Sequence, residues 1–351
     1  MVDWYFYERR YGMRKGTKLH PIGWGIIVGM LVCLLSVGIA VDTAMAKARY
    51  IRLGCGGPGG SWFQMVGGLS ALFNKEIPNV NVSAVSSGGS VALNRLLRQG
   101  DLESTFQHTL TMYESWNGVG DFKDKGPWKG IRGMTGMYES WHHWVVLEKS
   151  GITKMAELVG KRVNVGSVGS GSAKNSMMIL EGLGLYDKVK INNLSFGDAG
   201  RAVADGQLEC IGMSSAPMAA VVTLEASHKI RLLELTDEEF EKVFKASPFY
   251  YKTNMPPRVY KTWDKPYPCV AFQILWTAHK DLEPEYVYQM LKVVYDPKNA
   301  DYLKSVHRQL TTMTPSLQVF KGLKVPLHAG AVKFWKERGE KVSPELIPPE
   351  M

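Results

Sequence analysis

The sequence predicts an α/β protein in which parallel strands feed helices through glycine- and serine-rich loops. Three observations predict it. Short apolar segments run repeatedly into Gly/Ser loops. Each loop is followed by apolar residues at helical spacing. Of the 351 residues, 45% are hydrophobic and 21% charged, a globular balance with enough chain for two cores.

The first unit begins at Tyr50–Leu53, which reads as a strand, and continues through the loop Gly54–Gly60. Trp62, Met65, Val66, Leu69, Leu72 and Phe73 then recur with the period of an amphipathic helix. Ser61 stands where an N-cap is expected. In the second unit Val80, Val82 and Ala84 alternate with Asn81 and Ser83, as in a half-buried strand. The loop "SSGGS" (Ser86–Ser90) follows, then a helix marked by Leu93, Leu96 and Leu97 that stops near Gly100. The third unit has "KRVNVG" as strand, Ser167–Ser172 as loop, and Met177, Met178 and Leu180 on a helix. Further on, "DAGRAVADGQLE" reads as an amphipathic helix stopping at Gly206, with Arg201 on its solvated face. "TNMPPRVYKTWDKPYP" (253–268) is rich in turn formers and argues against regular structure.

A loop at the start of a helix offers about four backbone N–H groups without helical partners, at the positive end of the helix dipole. Glycine lets a ligand approach that backbone, and serine adds hydroxyls. Three such loops at the C-terminal ends of parallel strands predict a site for a carboxylate or another small anion.

Gly54, Gly56 and Gly59 satisfy G-x-G-x-x-G, the dinucleotide fingerprint. That fold needs an acidic residue about 20 positions further, at the end of the second strand. Here that strand ends in Val85-Ser86-Ser87-Gly88, and no G-K-[ST] is present. Nucleotide binding is therefore not expected. The formal charge of +9 is spread along the chain without a basic stripe, so nucleic acid is not an expected partner. No G-x-S-x-G elbow occurs, and no catalytic residues are predicted.

The N-terminus carries Arg9, Arg10, Arg14, Lys15 and Lys18, then Leu19–Val41 without a charge, then Ala44-Met45-Ala46. This is the pattern of a secretory signal over residues 1–46 and predicts a periplasmic protein. The apolar stretch is also long enough to serve as an uncleaved inner-membrane anchor. Cys55, Cys210 and Cys269 follow it with no C-x-x-C pair, which predicts neither a disulfide framework nor a zinc site. His142 and His143 are adjacent and would point to opposite faces of a strand, so no metal site is expected there. No cofactor is expected.

"GCGGPGGSW" with "VSSGGSVALNRLLRQGDLESTFQH" resembles the start of the TAXI family, the extracytoplasmic solute-binding proteins of tripartite ATP-independent periplasmic (TRAP) transporters. "GMYES", "SGITKMAELVGKRVNVGSVGSGSAKN", "SFGDAGRAVADGQLECIGMSSAPMAAV" and "VPLHAGAVKFWKERG" follow in family order, so the likeness spans about residues 48 to 340. It implies a two-lobed periplasmic-binding-protein fold of type II, no catalysed reaction, a carboxylate ligand, and delivery to the membrane permease subunits of a TRAP transporter. It also implies a discontinuous first lobe, 47–140 and 248–351, and a second lobe, 141–247. Several departures from the family pattern touch loops expected to face the cleft. Ser61-Trp62-Phe63 replaces an aromatic pair, Tyr138-Glu139-Ser140 lacks the family's proline, Gln107-His108-Thr109 lacks an acid, and Glu209 stands for Asp.

Loop placement and this likeness together give the expected ligand-binding residues. From the first lobe they are Gly60, Ser61, Trp62, Ser87, Gly88, Gly89, Ser90, Asn94, Gln107, His108 and Tyr138. From the second they are Ser167, Ser170, Gly171, Ser172, Asn175, Ser214 and Ser215. Asn94 and Asn175 suit either a ligand contact or a tie to loop backbone. The expected ligand is a small carboxylate, glutamate-like or aromatic. A ligand-sensing receptor for a membrane signalling protein is the alternative the residues leave open.

Overall fold

The computed structural model describes residues 48–313 and 317–351. The expected signal segment, residues 1–46, lies outside the described residues.

The first half of the chain builds β1 (Arg49–Cys55), α1 (Ser61–Glu76), β2 (Val80–Ser86), α2 (Ser90–Gln99), β3 (Ser104–His108) and α3 (Thr109–Asn117). β1 lies between β2 and β3 and is parallel to both. The long strand β4 (Ile131–Leu147) then leads to a second set. This comprises β5 (Arg162–Asn164), α4 (Gly171–Gly182), β6 (Lys190–Asn192), α5 (Phe196–Ala204), β7 (Cys210–Ser214) and α6 (Ala219–Glu225). β5 lies between β6 and β7, again parallel to both. β8 (Ile230–Leu232), α7 (Asp237–Phe244), β9 (Tyr251–Met255) and β10 (Tyr267–His279) complete the sheet. Its path is β2-β1-β3-β10-β4-β7-β5-β6. Thus β4 and β10 are the antiparallel pair that joins two matching α/β halves.

The two halves share a device that the sequence hides. Glu103, just before β3, accepts from the backbone N–H of Arg52 on β1 at 2.7 Å and from its guanidinium, which also donates to Gly100 O at 2.7 Å. Glu209, just before β7, does the same for Arg162 on β5, at 2.8 Å from its N–H, and that guanidinium donates to Gly206 O at 2.8 Å. Burial opposes ionisation of Glu103, but the Arg52 contacts outweigh it and hold the carboxyl below its usual range. The Arg162 hydrogen bond does the same to Glu209. Each clamp ties the end of a helix to the start of the next strand. Glu209 is therefore structural.

Two apolar cores support the sheet. The larger contains Leu53, Phe73, Phe106, Trp144, Trp276 and Trp335. The smaller contains Val145, Ile211, Met213, Val221, Met255, Tyr260 and Tyr267. Fully burying one side chain of Phe or Leu size contributes about 1.5–3 kcal/mol. Residues 255–269 thus pack with β7, α5 and α6 of the second half rather than with the first, where the expected boundary at 248 had placed them. β9 also pairs with Tyr267–Ala271, and β10 joins β3 only from Ile274. Part of the expected turn segment is this strand, since Thr253–Met255 lies in β9.

Local differences have simple causes. The N-cap of α1 is Gly60, and Ser61 is its first helical residue, because the Ser61 hydroxyl is engaged with Pro217 O (3.0 Å) instead of its own helix. β1 extends through Gly54, whose lack of a Cβ lets Leu93 and Leu102 pack against the strand. The C-cap of α2 is Gly100 in the left-handed region, as its position predicts. α8 (Pro284–Val294), α9 (Ala300–Val306), α10 (Leu317–Leu323) and α11 (Ala329–Glu337) follow β10. His328 caps α11, its imidazole accepting from Gly330 N–H. Among the described residues no helix is long and apolar enough to cross a membrane, and Cys55, Cys210 and Cys269 are buried free thiols.

Candidate functional site

Each α/β half sends its helix starts to the same edge of the sheet, and a cavity of about 60 Å³ lies where the two sets meet. The first half contributes Gly56, Gly57, Pro58, Gly60, Ser61 and Trp62 at the start of α1, Gly88, Gly89 and Ser90 at α2, and His108 at α3. The second half contributes Ser167, Ser170, Gly171 and Ser172 at α4, Ser195 and Phe196 at α5, and Ser214, Ser215 and Met218 after β7. Five helices of nine to sixteen residues begin here. Among the described residues no Asp, Glu, Lys or Arg lines the cavity. Helix starts carry the positive end of the helix dipole, and they supply the charge character of this wall.

The halves touch closely around it. A Cβ on Gly88 would lie 2.5 Å from Val168 O. Gly59, at φ +82°, would place one 2.7 Å from Gly197 N. Glycine is needed at both because backbone meets backbone across the gap. Ala92 N–H donates to Gly169 O at 3.0 Å across the same seam. The N–H groups of Ser61, Trp62, Ser90, Val91, Gly171 and Ser172 find no acceptor among the described residues. These are the orphan donors that a helix start leaves, and here three sets of them flank one cavity.

The side chains behind the wall are tied together. Trp62 Nε1–H donates to Tyr138 Oη at 2.7 Å, and Tyr138 Oη lies 3.3 Å from Ser215 Oγ. Burial raises the Tyr138 phenol well above its ordinary range, so it stays neutral. Ser90 Oγ donates to Gln107 Oε1 at 3.2 Å and accepts from His108 N–H at 3.0 Å. Ser172 Oγ accepts from Ser214 N–H at 3.3 Å. Burial pushes His108 down to about 3 and His143 to about 4, and lowers His142 well below its usual value. His142 contacts Ser214 Oγ, whereas His143 contacts Tyr260 Oη, so the neighbours do point to opposite faces.

Of the expected residues, Gly60, Ser61, Trp62, Gly88, Gly89, Ser90, His108, Ser167, Ser170, Gly171, Ser172, Ser214 and Ser215 line the cavity. Asn94, Gln107, Tyr138 and Asn175 lie behind it, buried, and Ser87 holds Gly89 N–H at 3.3 Å. Asn94 sits one helical turn beyond Ser90, which takes it away from the helix start. Gly56, Gly57 and Pro58 of the first loop, and Ser195, Phe196 and Met218, also line the wall, although none was among the expected ligand-binding residues. Ser195 had a readable signal: with Asp198 three residues on, it is the N-cap pattern, and its hydroxyl accepts from Asp198 N–H.

The NMT1-like family model matches residues 53–339 of this chain. The chain belongs to the NMT1-like family. Its fold is the mixed α/β two-lobed architecture of periplasmic binding proteins. A solved structure described as a periplasmic transporter is 16% identical with a TM-score of 0.53, covering 84% of this chain and 97% of its own. The alkanesulfonate-binding protein SsuA from Xanthomonas axonopodis pv. citri, bound to MOPS, is 15% identical with a TM-score of 0.47, covering 86% and 96%. PhnD1 from Prochlorococcus marinus, in complex with methylphosphonate, is 13% identical with a TM-score of 0.49, covering 84% and 100%. At 16% identity the likeness of this NMT1-like chain to the periplasmic transporter structure is one of fold.

Proposed function

We propose that this protein is an extracytoplasmic solute-binding protein whose two lobes close over a small organic anion and hand it to a membrane transporter. One observation carries the reading: helix starts from both halves converge on a cavity whose lining has no acidic side chain. An anion there gains donors from both sides, and closure removes the water that would weaken those bonds. A neutral solute would leave the orphan N–H groups buried without an equally strong acceptor.

The expected carboxylate, glutamate-like or aromatic, fits the donors and the apolar wall of Trp62, Phe196 and Met218. The order of the motifs from "GCGGPGGSW" to "VPLHAGAVKFWKERG" supports a place in the TAXI group and a TRAP-type permease as the receiving partner. The lobes divide at β4 near residue 140, and the packing of residues 255–269 favours a return crossing near Phe272. Binding rather than catalysis is the role, in the periplasm.

A thermal-shift screen of the chain from residue 47 tests this. Amino acids, dicarboxylates, keto acids, aromatic acids and sulfonates are compared with neutral sugars. Stabilisation grows with ligand concentration by mass action. Stabilisation by sugars alone would overturn the anion reading.

A further inference from the structure

Among the described residues His108 is the one titratable side chain in the cavity wall, and its imidazole sits against the start of the opposing helix. A Cβ on Gly171, the first residue of α4, would lie 2.5 Å from its Nδ1. That Nδ1 is 2.9 Å from Asn175 Nδ2, on α4 of the other half. Asn175 Oδ1 in turn receives the Tyr250 hydroxyl at 2.6 Å. In this structure the Asn175 oxygen faces Tyr250 and its NH₂ faces His108. An NH₂ group can only donate, so Nδ1 must accept. In a neutral ring the proton then sits on Nε2. Nε2 has no hydrogen-bond partner among the described residues, and the ring lines the cavity.

We infer that closure of the two halves sets His108 as a neutral Nε2–H donor to the bound anion, through an Asn175 amide held in orientation by Tyr250. This inference rests on the reading of the cavity as an anion site. Asn175 and Tyr250 are positioning residues, and of these three side chains His108 alone touches the ligand. In an open form His108 loses the Asn175 donor and its tautomers equilibrate. The ring becomes a committed donor only when the second half arrives, so closure and recognition are coupled. The low His108 pKa, caused by burial, agrees with a neutral ring.

Histidine-selective ¹⁵N NMR of the chain from residue 47 reads this directly, with His108→Gln giving the assignment. Titrations use benzoate, succinate, L-glutamate and methanesulfonate. The expected result is a pyridine-type Nδ1 and a pyrrole-type Nε2 for His108 in the anion-saturated protein, with Nε2 shifting on binding. Asn175→Ala and the milder Tyr250→Phe should each lose this tautomer bias. Affinity should fall about ten- to a hundredfold in Asn175→Ala, as for a lost hydrogen bond to a charged group, and less in Tyr250→Phe. A protonated Nδ1 in the saturated wild type, or an unchanged tautomer in both variants, would overturn the relay while leaving anion binding intact. No binding by the wild type, with the expected tautomer present, would overturn the donor role and the anion reading but not the Tyr250–Asn175–His108 chain.

Discussion

Lys174 on α4 pairs with the Glu114 carboxylate on α3, and Asp121 Oδ2 lies 2.7 Å from the same ammonium. The pair bridges the two halves beside the cavity. Burial raises the Glu114 pKa, and Lys174 offsets only part of that cost. Lys174→Met leaves Glu114 to choose between an unpaired closed state and a hydrated open one. Ligand affinity should fall by about 1–3 kcal/mol, below the 3–5 kcal/mol of a fully buried pair. Calorimetric titration measures the loss. The melting temperature without ligand should change little, because the open form rehydrates the carboxylate.

Gly88→Ala tests the seam itself. The added methyl meets Val168 O at 2.5 Å only when the halves are together, and Gly88 does not adopt the left-handed region. The variant should fold normally yet fail to close. Small-angle scattering with saturating ligand should show no compaction, where wild type compacts. An equal decrease in radius of gyration would mean that the seam is not formed on binding.

The two serines at matching helix starts should behave differently. The Ser172 hydroxyl accepts from Ser214 N–H and keeps its proton for a ligand. The Ser90 proton is committed to Gln107. Ser172→Ala should cost about 1–3 kcal/mol of binding with little loss of stability. Ser90→Ala should act mainly on stability, lowering the melting temperature by stranding His108 N–H and Gln107 Oε1. Denaturation and titration of both variants separate the two effects.

Acid should destabilise the protein before its carboxylates titrate. Burial depresses His108 to about 3, His143 to about 4, and His142 below its usual value. A base with a lowered native pKa stays neutral in the fold while the unfolded chain takes up its proton. Stability is therefore complete above about pH 6.5 and falls as pH drops toward 4 and then 3. Each such histidine contributes a slope of about 1.4 kcal/mol per pH unit in that window. Denaturant titrations between about pH 7 and 5 should show the decline, and His143→Gln should reduce the slope by one proton's worth. A flat profile would mean that the histidines ionise in the native state.

Much of the site was legible because its chemistry is local. Gly88 and Gly59 are demanded by backbone contacts, and serines cluster at helix starts, so the loops carry their signal within five to seven residues. What escaped is long-range. The Arg52–Glu103 and Arg162–Glu209 clamps repeat a G-x-L-E segment more than a hundred residues apart, too sparse to read as a repeat. Phe196 and Met218 reach the cavity only because the second half folds like the first. The attachment of residues 255–269 depends on β10 pairing with β9 and β4, which no local pattern announces.

Recognition of negative charge is tested most directly by calorimetric titration of matched pairs that differ only in charge: benzoate with benzamide, succinate with succinamide, methanesulfonate with methanesulfonamide. It predicts that at least one anion binds and that its neutral twin binds at least a hundredfold more weakly, the loss expected when a charged acceptor is removed from several donors. Equal affinity within the pairs, or preference for the neutral member, would contradict it.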